Sequence, residues 1–168
     1  MVHDDKKKNY LIPGYLFITL AFYCTYDLRN NFGAESLAIF LLIIIICIST
    51  DIGGYLFGKT LKGPKLTKIS PNKTYSGMIG GLFLSILSAN VFYYYFFFEK
   101  FTLKTLIIVL LISIISQIGD LIISFFKRLS KVKNTGKIIP GHGGLLDRID
   151  GMIFAFPFSY LVLSINNI

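Results

Sequence analysis

Residues 103–128 read LKTLIIVLLISIISQIGDLIISFFKR. Between Leu106 and Phe126 the single formal charge is Asp120, and the two residues that follow are Lys127 and Arg128. An apolar run near twenty residues long is what a helix needs to cross about 30 Å of hydrocarbon. Similar runs cover 11–26, 37–57, 78–98 and 149–165, so with 103–126 the sequence predicts five spans. The fold class that follows is an all-α, polytopic transmembrane bundle, built as one domain over residues 1–168. A basic start before an apolar core would also fit a cleaved leader, but no small-residue cleavage site follows the first run.

Composition agrees. Hydrophobic residues make up 54% of the chain, well above the usage of a soluble domain of this length. The two cysteines, Cys24 and Cys47, both lie in apolar runs and imply no disulfide framework. The aromatic run Tyr93 to Phe98 is read as an interfacial anchor at the outer end of the third span.

Of the seventeen Lys and Arg residues, fourteen fall in three regions: before the first span, after the second and after the fourth. The other side holds only Arg29, Lys100 and Lys104. The positive-inside bias therefore predicts that both long loops are cytoplasmic and the C-terminus external. The formal net charge of +8 calls for no nucleic acid, because anionic lipid and nucleotide phosphates are sufficient partners.

Nine acidic residues are present, and five of them fall in tails or short loops. The other four are Asp51, Asp120, Asp147 and Asp150. Asp51 and Asp120 each lie seven residues before the end of a span, at Gly58 and Lys127. At 1.5 Å per helical residue this is about 10 Å inside the cytoplasmic face. Asp147 and Asp150 open the last span from that same side, so all four can share one level. Asp120, Ser124 and Lys127 follow i, i+4, i+7 spacing and form a polar stripe on one helix face. Such carboxylates suit a magnesium ion, which takes a few of them together with phosphate oxygens. A second reading has Asp147 and Asp150 in buried ion pairs with Arg148 or Arg128 that order the bundle.

Two loops supply phosphate-binding chemistry. Pro140-Gly141-His142-Gly143-Gly144 exposes backbone amides to a ligand, although it is neither a Walker loop nor a dinucleotide fingerprint. His142 beside Asp147, Arg148 and Asp150 is a candidate phosphate ligand or proton carrier. Residues 69–77, ISPNKTYSG, bring Ser70, Lys73 and Thr74 just before the third span. The bland reading there is a Ser-Pro turn, with Gly77, Gly80 and Gly81 packing helices closely.

Ser124, Lys127-Arg128, Lys133, Gly136, Pro140 to Gly144, Asp147-Arg148 and Asp150 together resemble the signature of the phosphatidate cytidylyltransferase (CDP-diacylglycerol synthase) family. Asp51 to Tyr55, Ser70 to Thr74 and Gly119-Asp120-Leu121 look like further segments of it, so the resemblance covers about residues 45–165. Asn134 and Ser76 depart from the pattern, where the family carries an aspartate and often a glutamate. By the resemblance this is a short or N-terminally incomplete member.

The resemblance implies an integral protein of the bacterial inner membrane that converts CTP and phosphatidate to CDP-diacylglycerol and pyrophosphate, and a homodimer. It also implies that Asp120 and Asp147 hold magnesium, with Asp150, Lys127 and Arg128 in the catalytic group. Ser70, Lys73, Thr74, Ser124, Lys133, His142, Gly143, Gly144 and Arg148 would then bind substrate phosphates. Gly53-Gly54 and Gly77 to Gly81 would allow close helix contacts within or between subunits.

The alternatives are an inactive relative, suggested by the short N-terminus and Asn134, and a CDP-alcohol phosphotransferase, suggested by Asp147 to Gly151. The latter class resembles a pattern with an arginine and further aspartates downstream, which this sequence lacks after Asp150. An ion-conducting protein would be expected to show internal repeats, and none is evident.

Overall fold

A backbone in hydrocarbon must bond its own amides and carbonyls, so apolar runs of this length fold as helices. The computed structural model describes residues 2–67, 70, 73–97, 101–132 and 149–165, with side chains from residue 12 onward. It contains helices α1 Val2–Asn30, α2 Ser36–Thr60, α3 Tyr75–Phe92, α4 Leu103–Leu129 and α5 Met152–Ile165. Among the described residues there is no β-strand, only an isolated antiparallel bridge between Lys65 and Thr74.

Among the described residues, three helices are long and apolar enough to cross a membrane: α2, α3 with its extension to Phe97, and α4. The first and last predicted spans lie in α1 and α5. Helix α5 has 14 residues, shorter than the predicted 149–165, because the chain at Asp150 and Gly151 is still in a turn. The aromatic run does not continue α3 regularly. Tyr93–Phe97 winds as one π-helical turn, in which Phe92 stacks on Phe96 at 4.2 Å and Tyr93 meets Phe97 at 4.6 Å.

Polarity is arranged as a membrane demands. Ile79, Phe83, Leu87 and Val91 repeat every four residues and expose one apolar face of α3, while Ser85 on its inner side is fully buried. The interior combines aliphatic side chains such as Leu28, Ile43, Ile46 and Val109 with buried hydroxyls of Thr50, Ser85, Ser113 and Ser159. Thr50 donates to the Ile46 carbonyl at 2.7 Å, so Ser113 must donate its own hydroxyl to Thr50 across the α2–α4 contact, also at 2.7 Å. Lipid tails are as apolar as leucine, so helices here are joined by close packing and such bonds, not by removal of surface from water.

The closest packing is between α2 and α3. A Cβ on Gly53 would meet the Gly80 carbonyl oxygen at 2.6 Å, and one on Gly77 would meet the Gly54 carbonyl oxygen at 2.6 Å. Both contacts are with backbone, which cannot swing aside. The glycine pairs are therefore spent within one chain. Rings close the other side, with Phe17 against Phe154 at 4.8 Å and Phe40 stacked on Phe156 at 5.4 Å. Helices α2, α3 and α4 alternate in direction, so the ends of α2 and α4 and the starts of α3 and α5 share one end of the bundle.

Candidate functional site

The loop from α2 to α3 is folded back on itself. Lys62 and Gly63 take left-handed backbone conformations, with φ of 54° and 114°, and turn the chain after α2. The Leu66 amide then donates to the Lys73 carbonyl at 2.7 Å and the Tyr75 amide to the Pro64 carbonyl at 3.2 Å. Thr74 caps α3, accepting the Gly77 amide on its hydroxyl at 3.1 Å. These bonds fix Lys73 two residues before the helix, over the cavity between α2, α3 and α4.

That cavity is about 340 Å³ in volume and is lined by Asp51, Tyr55, Lys73, Gln117, Asp120 and Asp150, among others. Thus the three described carboxylates predicted at one level do line one space, from α2, from α4 and from the turn before α5. The Lys73 ammonium bonds the Asp120 carboxylate, and the Ser124 hydroxyl donates to the other Asp120 oxygen at 3.5 Å, the long limit of such a bond. Lys127 Nζ donates to Asp150 Oδ2 at 2.8 Å.

The two pairs differ in environment. Asp150 is 4% exposed and the Lys127 side chain 13%, whereas the Lys73 and Asp120 side chains are 28% and 32% exposed. Asp150 Oδ1 is buried and has no hydrogen-bond partner among the described residues. Burial pushes the Asp150 carboxyl above the usual carboxylate range, Lys127 draws it back down, and the charge of Asp120 pushes it up again. A buried carboxylate oxygen left open beside a second carboxylate is a donor set a hard divalent cation can use.

The sequence offered Arg148 or Arg128 as ion-pair partners of Asp150; among the described residues its partner is Lys127, and Arg148 lies outside them. Arg128 is exposed beside Lys127 and does not line the cavity. Ser70 is half-buried, with its amide on the Thr67 hydroxyl at 3.2 Å, and also lies off the cavity. Lys133, His142, Gly143, Gly144, Asp147 and Arg148 lie outside the described residues. Three polar side chains of the lining had no place in the predicted site: Tyr55, Thr50 and Gln117. Gln117 was detectable, since it and Ser113 stand three and seven residues before Asp120 and extend the polar stripe of α4 upward. It donates to the Met78 carbonyl at 3.3 Å and so ties α4 to α3 under the cavity floor.

The arrangement is amphoteric. Lys73 can meet anionic oxygens, and the carboxylates of Asp120 and Asp150 can meet a cation, at the end of an apolar bundle. The model of the cytidylyltransferase family matches residues 4–166. Phosphatidate cytidylyltransferase of Bacillus subtilis (strain 168) is 38% identical over 151 residues, which cover 89% of this chain and 56% of that protein. The protein of the same name from Staphylococcus aureus (strain COL) is 40% identical over 148 residues, covering 88% and 55%. That from Staphylococcus saprophyticus is 37% identical over 148 residues. The chain spans about half the length of the curated relatives it matches.

Proposed function

The chain belongs to the cytidylyltransferase family, and from that premise we propose that it transfers the cytidylyl group of CTP to phosphatidate, giving CDP-diacylglycerol and pyrophosphate. The observation that carries this reading is the convergence of Asp120, Asp150, Lys73 and, behind them, Lys127 on one cavity at the end of a membrane bundle.

In this reaction a phosphate oxygen of phosphatidate forms a bond to the α-phosphorus of CTP while the bond to pyrophosphate breaks. Both reactants are anionic, so the site's first task is to remove repulsion and align attack with departure. Lys73 meets the triphosphate from the loop side. Lys127 holds Asp150 fixed and lowers the charge of the floor. Magnesium, bound by Asp120 and Asp150 with Asp147, would neutralise developing charge on the phosphates. Arg128, Lys133, His142, Gly143, Gly144 and Arg148 supply further phosphate contacts in this reading, with Ser70 and Ser124 as supporting hydroxyls. No covalent nucleophile is required.

The lysine-rich end faces the cytoplasm of a bacterial inner membrane, so that CTP arrives from solution and lipid from the side. A homodimer, if it forms, uses faces other than the α2–α3 glycines, which are occupied within the chain.

The test is conversion of phosphatidate by CTP in detergent or liposomes with magnesium. Product is expected from the wild-type chain, and Asp120→Asn and Asp150→Asn should each lower kcat by at least about 100-fold. EDTA should abolish turnover and magnesium restore it. Turnover in both variants equal to wild type would remove these carboxylates from the reaction.

A further inference from the structure

We infer that Lys73 is a displaceable latch on Asp120, released when its ammonium moves to a phosphate, so that cation and triphosphate enter the cavity together. The inference rests on the proposed nucleotide chemistry of the site and adds an order to it. Three observations carry it.

The first is the inequality of the two ion pairs. Lys127 and Asp150 are shielded, at 13% and 4% exposure, while Lys73 and Asp120 face the cavity at 28% and 32%. A solute in the cavity can therefore reach and exchange the second pair. The second is how Lys73 is delivered. Its backbone is pinned by the Leu66 amide and by its own amide on the Ser70 carbonyl at 3.1 Å, but its side chain is a flexible four-carbon stem. Lysine suits a movable point charge, where arginine would form a planar clamp. The third is Asp150, which lines the same cavity and whose buried Oδ1 has no hydrogen-bond partner among the described residues. A cation bound there would gain most by also taking Asp120, whose charge Lys73 now neutralises. An ammonium repels a divalent cation and attracts a phosphate, so one side chain links the two binding events.

The experiment measures Mn²⁺ bound to the chain in detergent by the loss of the free Mn²⁺ resonance, and separately CTP binding in EDTA. Lys73→Gln should bind Mn²⁺ alone about two- to fivefold more tightly than wild type, the scale of a partly exposed pair. Lys73→Gln/Asp120→Asn should lose that gain, and Lys73→Arg should bind like wild type. CTP binding without metal should weaken in Lys73→Gln. Where Lys73→Gln does not fold, as judged by its unfolding midpoint, Lys73→Met removes the same charge.

Unchanged Mn²⁺ affinity in the neutral variants, with weakened CTP binding, would overturn the latch and leave Lys73 as a phosphate ligand only. Tighter Mn²⁺ binding in a chain that binds no CTP, wild type included, would support the cation latch and overturn the cytidylyl reading. Tighter binding that survives in the double variant would overturn the assignment to Asp120.

Discussion

Asp150 is a carboxylate placed where water can barely reach it, and Lys127 is what makes that placement tolerable. Removing one member of a shielded pair leaves an uncompensated buried charge, which costs several times what the pair itself contributes. Lys127→Met should therefore lower stability by about 2–4 kcal/mol, and Lys127→Met/Asp150→Asn should recover much of it, read as the coupling in a cycle of thermal unfolding in detergent. Burial raises the Asp150 carboxyl, so the native state holds its proton more firmly than the unfolded chain does. The stability it contributes is thus greatest in acid and falls as pH rises through the native value. Without Lys127 that value climbs further, and the variant should regain more stability on acidification than wild type. At this scale the sequence was half legible. The stripe of Asp120, Ser124 and Lys127 was visible from spacing, whereas the bond from Lys73 to Asp120 joins residues 47 positions apart through a loop whose turn no periodicity encodes.

Among elements, α2 and α3 depend on backbone touching backbone. A Cβ at Gly53 would fall 2.6 Å from the Gly80 carbonyl oxygen and 2.9 Å from the Gly81 Cα, so the helices must separate to admit it. Overpacking of this kind costs about 1–3 kcal/mol, and Gly53→Ala should lower the unfolding midpoint accordingly. Gly14→Ala in α1 meets nothing within 4 Å and should leave the midpoint unchanged or raise it slightly. Separation of α2 from α3 also moves Asp51 and Thr74 apart, so turnover should fall more steeply than stability in Gly53→Ala. The glycines could be read from sequence as close-contact positions, but not which helices they join. Length and apolarity located the five helices α1 to α5 among the described residues, yet α5 begins later than its apolar run because a turn at Gly151 intervenes. Gly151 lies directly against Ser116 of α4 there, a contact that only the folded chain reveals.

Across the whole molecule, one end of the bundle gathers the loop lysines, the cavity and the start of α5, while the other carries the π-helical aromatic turn. Isoleucines lie both in the core, as Ile43 and Ile46, and on the outer faces, as Ile79 and Ile107, so the chain is apolar inside and out, which is why composition alone sufficed for the fold class. Sidedness does not follow from packing, since no bond distinguishes the two faces of a bilayer; it follows from charge, because lysine-rich segments are retained on the cytoplasmic side. That argument makes opposite predictions for the two ends. Single cysteines at the exposed Lys65 and Ser130 should react with an impermeant maleimide only when the cytoplasmic face is open to it, as in inverted vesicles. A cysteine at the exposed Lys104, beside the start of α4, should react only from the opposite face, as in right-side-out cells. Cys24 and Cys47 are buried and should contribute little background in either preparation. Labelling of Lys104 from the cytoplasmic side, with Lys65 and Ser130 protected there, would invert the molecule and put the cavity out of reach of cytosolic CTP.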